Sequence, residues 1–262
     1  MKQLVLLAAA ATLLSACSET TGPTSDLSTR SARPVAGGGI TVEGNLVTET
    51  FTFEDNTISG ASGSFFTVDD LESGGFSASA PNIVEAYNGS TSFLGRIDNH
   101  TLFLVVPNGG STYSLEFDLY IIGSWDGQGK QAQSGAFGQD IWRLGIRCDV
   151  TSALGTNLLT TDFSNQLTVQ QSYPLAASQK GGKKAGTGAY AIDELGFSED
   201  PTVHTPQFRS FSDAQYHMTF SGTNPCGAGE QMVFAFTVPD AGLQSNRDES
   251  WGIDNVVLKT DS

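Results

Sequence analysis

The chain has 262 residues, room for one large β domain or two small ones, and its 30 glycines, 16 phenylalanines and 16 % charged residues favour a turn-rich β architecture. A formal charge of −15 and a pI near 4.3 argue against a nucleic-acid partner, whose phosphates would repel it. The same acidity suits an exported protein in a calcium-rich setting.

Residues 1–17 read as a targeting segment: Lys2 is the positive end, Leu4 to Leu14 the apolar core, and Leu14-Ser15-Ala16-Cys17 the cleavage box. That box resembles the lipobox of bacterial lipoproteins. The resemblance implies cleavage before Cys17, acyl chains on Cys17 and attachment to a membrane through lipid, with Ser18 pointing to an outer membrane where the cell has one. Losing Lys2 takes the formal charge to −16. An ordinary secretory leader with a coincidental Cys17 is the alternative. Residues 18–39, rich in Ser, Thr, Gly and Pro, carry too little apolar surface to fold and read as a tether with a reach of roughly 25 Å.

The next segments read as strands separated by Gly, Asn, Asp and Pro turns: 46–53, 65–68, 83–87, 92–96 and 102–106. Residues 112–122 alternate Tyr113, Leu115, Phe117, Leu119 and Ile121 with Ser114, Glu116 and Asp118, the period of a half-buried strand, and end in Ser124-Trp125-Asp126-Gly127. A second alternating run, 140–148, turns Trp142, Leu144 and Ile146 inward and Arg143 and Arg147 to solvent. After a short strand at 158–161 comes an irregular excursion. Its Gly/Lys loop, 179–188, lacks the spacing of a phosphate-binding loop and reads as a solvated flap. Strands over 215–220, 232–238 and 251–258 close the chain.

A dozen short strands without helical units predict an all-β fold, one two-sheet antiparallel jelly-roll sandwich over 40–262 with neighbouring ends. An immunoglobulin-like sandwich is the other version, but the chain is about twice that length and lacks its Cys-Trp-Cys spacing. In an exported chain with Cys17 lipidated, the two remaining cysteines predict a Cys148–Cys226 disulfide; two free thiols are the alternative.

Phe51-Thr-Phe53-Glu54-Asp55 and Trp251-Gly-Ile-Asp254-Asn-Val resemble the paired first and last strands of jelly-roll carbohydrate-binding modules and MAM-type adhesion domains. The resemblance implies a structural calcium ion held by Glu54 and Asp254. Physics agrees, since two carboxylates on adjacent strands repel unless a hard cation lies between them. The alternative keeps Asp254 on backbone N–H groups and Glu54 in solvent. A wider stretch, about 110–258, with Ser124-Trp-Asp-Gly127, Asp140-x-Trp142 and Asp248-Glu-Ser-Trp-Gly-Ile-Asp-Asn-Val256, resembles uncharacterised exported bacterial proteins that have no agreed activity.

Within that pattern Asp126, Asp140, Asp248 and Glu249 stand at strand ends beside tryptophans. They read either as a second calcium site or as turn and solvated end residues. Trp142 and Trp251 read as core, leaving Trp125 as the exposed ring on which a sugar would stack. His100, His204 and His217 lack zinc spacing, and no Gly-x-Ser-x-Gly elbow occurs. The expectation is therefore a binding module without chemistry of its own, holding a glycan or an envelope protein. The alternatives are a structural lipoprotein with protein partners only, and a glycan-cleaving enzyme pairing Asp126 with Glu249 or Asp140.

Overall fold

Alternation decides the central strand. In β8 (Thr112–Gly123) Tyr113, Leu115, Phe117, Leu119 and Ile121 are buried on one face, as a period of two requires. The computed structural model describes residues 39–69, 78–79, 81–128, 139–152, 155–178, 182–197, 211–239, 243 and 248–261. The leader, Cys17, tether residues 18–38 and His204 lie outside them.

The chain is all-β and folds into two packed antiparallel sheets. One runs β1 (Gly39–Glu43), β2 (Leu46–Phe51), β16 (Glu249–Asp261), β8, β14 (Asp213–Thr223), β13 (Ala191–Ile192), with β6 (Ser92–Ile97) and β5 (Ile83–Glu85) added alongside β16. The other runs β10 (Thr156–Asp162), β9 (Ile141–Arg147), β15 (Met232–Thr237), β7 (Leu102–Val106), β3 (Phe65–Asp69), β4 (Ala78–Ser79). The strand orders β2-β16-β8-β14 and β7-β15-β9-β10 are those of a jelly roll. The first and last core strands pair, Phe51 opposite Val256 and Leu46 opposite Asp261.

Between the sheets lies an aromatic core. Trp142 packs edge-on against Trp251 at 6.2 Å, Phe236 edge-on against Phe117 at 5.3 Å, and Phe163 lies 4.6 Å from Tyr216. On the outer face of the first sheet Phe93, Tyr120, Ile122, Leu195 and Phe197 form a second apolar cluster, which makes the β8 segment Leu119–Ile122 buried on both sides. The predicted Cys148–Cys226 disulfide is present, joining the end of β9 to the turn after β14.

Two local expectations are corrected. Lys183–Lys184 of the supposed flap form β12, paired with β11 (Gln170–Gln171), so that part of the loop is ordered by backbone hydrogen bonds; residues 179–181 lie outside the described ones. Arg147 is on the outer face but only half in water, its guanidinium 5.3 Å above the Phe103 ring.

Candidate functional site: two acidic constellations

The pairing of β2 with β16 delivers the first constellation. Beyond Phe51 the chain turns at Phe53, whose φ of 57° drops its ring into the core against Phe66 and leaves the next residue, Glu54, exposed. On β16 the alternation runs through Ile253 to Asp254, which is fully buried, and is broken just after it by a bulge between Asp254 and Val257, with Asn255 at φ 50°.

Glu54 and Asp254 meet on Thr91. Its hydroxyl lies 2.9 Å from Glu54 Oε1 and 2.8 Å from Asp254 Oδ2. A hydroxyl has one proton to donate, so it satisfies one of these oxygens at a time. Asp254 also accepts from the Asn255 amide (2.7 Å) and the Tyr120 hydroxyl (3.0 Å), and Glu54 from the Ser92 amide (3.2 Å). Burial, helped by the nearby Asp118 charge, holds the Asp254 carboxyl up at about 7 against the opposing hydrogen bonds from Thr91, Asn255 and Tyr120.

The second constellation forms where β8, β9 and β16 end together. Asp126 follows β8, Asp140 precedes β9 and Glu249 opens β16. All three are buried, and one carboxylate oxygen from each lies within 4.8 Å of the other two. The Asp126 amide donates to Asp140 Oδ2, and the Gln166 side-chain amide to Asp126 Oδ1. Burial raises the Asp140 carboxyl well above the usual carboxylate range, and the charges of Glu249, Asp126 and Asp248 add to the rise. Hard oxygen donors gathered in this way could hold a metal ion.

Asp248 stands apart from this triangle. Its Oδ1 accepts from the Ser124 hydroxyl at 2.7 Å, and its carbonyl accepts from the Ser124 amide, so it ties two strand ends together. Gly123 is required there: at φ 89° a Cβ would lie 1.6 Å from the Asp248 carbonyl oxygen.

Trp125 is a correction. The ring is 0 % exposed, packs edge-on against Phe163 at 6.3 Å, and donates through Nε1 to the Ser250 carbonyl at 3.0 Å. It offers no face to a sugar. All three tryptophans are core, and among the described residues the most exposed aromatic is Tyr87, at 72 %, ahead of Phe65 at 38 %.

Sequence reasoning missed Thr91, Tyr120 and Gln166, which touch the predicted acids. It also missed Asp162, a fully buried carboxylate satisfied by the Ser172 amide and hydroxyl and by Gln128 and Gln139. Asn255 alone carried a signal, its place in the Asp254-Asn-Val motif.

No family model matches the chain, and no curated protein matches it. Among solved structures it is similar to the K2 cleaved adhesin domain of Lys-gingipain, at a TM-score of 0.36 and 13 % identity, covering 80 % of this chain and 97 % of that one. A likeness of that size does not bear on the site.

Proposed function

We propose that this chain is a calcium-stabilised binding module, lipid-anchored at Cys17 to the bacterial envelope, that holds a glycan or a neighbouring surface protein without chemistry of its own. The observation that carries it is the convergence of Asp126, Asp140 and Glu249, all buried, within 4.8 Å of one another. Three carboxylates in so small a dry volume repel, and a divalent ion turns that cost into the clamp that fixes three strand ends. Glu54 and Asp254 would hold a second ion that fastens the first core strand to the last.

The same burial weighs against the glycan-cleaving alternative, because a general acid and a nucleophile must reach a substrate. With every tryptophan inside, stacking on a sugar would fall to Tyr87, whose ring rests edge-on against Phe197 at 5.0 Å. A protein ligand needs no such platform.

Thermal melting in calcium against chelator tests the module. An ion at about 100 times its dissociation constant stabilises by about 2.7 kcal/mol, which for a domain of this size is a shift of roughly 5–10 °C. A melting temperature indifferent to chelator would overturn the calcium reading. Polysaccharide retention that survives Tyr87→Ala unchanged would remove that ring from glycan binding.

A further inference from the structure

We propose that the cavity walled by Glu49 at the chain-end edge of the sandwich binds an organic cation, a primary ammonium or guanidinium group. In β2 the alternation that turns Val47 and Phe51 toward the space between the sheets turns Glu49 inward as well, and its side chain is 2 % exposed. Oε1 accepts from the Ser62 amide at 2.8 Å, and the 55–64 loop presses so closely that a Cβ on Gly60 would lie 2.2 Å from that oxygen. Among the described residues Oε2 accepts no hydrogen bond, and neither oxygen meets a Lys, Arg or His side chain. A buried carboxylate without a counter-charge is costly, and something cationic is the natural relief.

The space in front of it is about 550 Å³, the size of a small organic ligand rather than of a bare ion. Val106 and Leu258 supply apolar wall for a methylene stem, Asn108 and Ser62 supply polar edges, and Asp261 stands at the rim. Among the described residues no basic side chain and no aromatic ring lines it, which disfavours both an anion and a stacked sugar. Asp261 stays ionised, its carboxyl lowered to about 2 by the Ser111 hydroxyl and the Thr112 amide, so the rim is negative too. Its oxygens are occupied by those same donors, which leaves a metal ion with Glu49 alone as a free carboxylate.

None of its lining residues belongs to either acidic constellation, so the site does not depend on calcium there. The test is titration calorimetry of the full chain with agmatine, which carries both head groups, in excess calcium. Saturable one-to-one binding is expected, weakened at least 10-fold by Glu49→Gln, whose amide oxygen still accepts from Ser62. Ala228→Trp, on an exposed turn at the mouth, should abolish it, and decides the matter if Glu49→Gln fails to fold. Absence of saturable binding, or an affinity unmoved by either substitution, would overturn the proposal.

Discussion

Glu54 and Asp254, 200 positions apart in the chain, face the same hydroxyl from two sides, with Thr91 Oγ1 2.9 Å from one carboxylate and 2.8 Å from the other. The first and last core strands are thereby joined through one hydroxyl whose single proton is shared between two carboxylates. A proton on Asp254 or a cation would relieve the charge buried there.

Without calcium the proton must do so, and this sets a pH dependence. The Asp254 carboxyl, raised by burial from 3.8 to about 7, prefers the protonated form in the folded protein. A raised folded value gives stability that is full below the unfolded value, near pH 4, and is lost as the pH rises through about 7. In chelator the melting temperature should therefore fall between pH 5 and 7.5, and Asp254→Asn should flatten that slope. Scanning calorimetry checks both, and a slope unchanged by the substitution contradicts the role given to Asp254. In calcium the slope should flatten as well, because the ion favours the ionised form.

Glu249→Gln should change sign with the medium. In chelator it removes the charge that contributes most to raising Asp140, so stability should hold or rise by about 1 kcal/mol. In calcium it removes a ligand, so stability should fall by about 2 kcal/mol or more. Equal losses in both media would mean that Glu249 is merely structural.

Trp125→Ala should destabilise by about 3–5 kcal/mol, the cost of emptying a fully buried aromatic site and losing the Ser250 hydrogen bond. Tyr87→Ala, at an exposed position, should leave the melting temperature within a degree or two. Paired denaturation curves separate the two.

Cys148→Ser together with Cys226→Ser should cost about 4 kcal/mol in the chain-entropy account, since the bridge closes a loop of 78 residues. A loss below about 1 kcal/mol in urea unfolding would mean that the unfolded chain is already restrained in that region.

The sandwich was legible because its strands obey local rules. Tyr113 to Ile121 alternate cleanly, and the β-branched, apolar run into Leu258 has no other home than a buried strand. The acids were legible as well, since a carboxylate set into an apolar strand demands a reason. Trp125 was not. It follows the strand end and precedes an Asp-Gly turn, which argues for exposure, and only the excursion that brings Phe163 over it makes the position core. Thr91 and Tyr120 carry no local mark of their role: Tyr120 reaches Asp254 through the β8–β16 register, which a shift of one residue would undo, and Thr91 reaches it from the position just before β6. Glu49 is a similar case: alternation alone turns it inward, but the cavity it faces is made by segments far from it in sequence.

The most direct measurement is an anomalous difference map from crystals grown in calcium. One peak ligated by Asp126, Asp140 and Glu249 and a second between Glu54 and Asp254 are expected. A map without density at the first position, in crystals saturated with the ion, would contradict the claim that these buried acids are gathered around a cation.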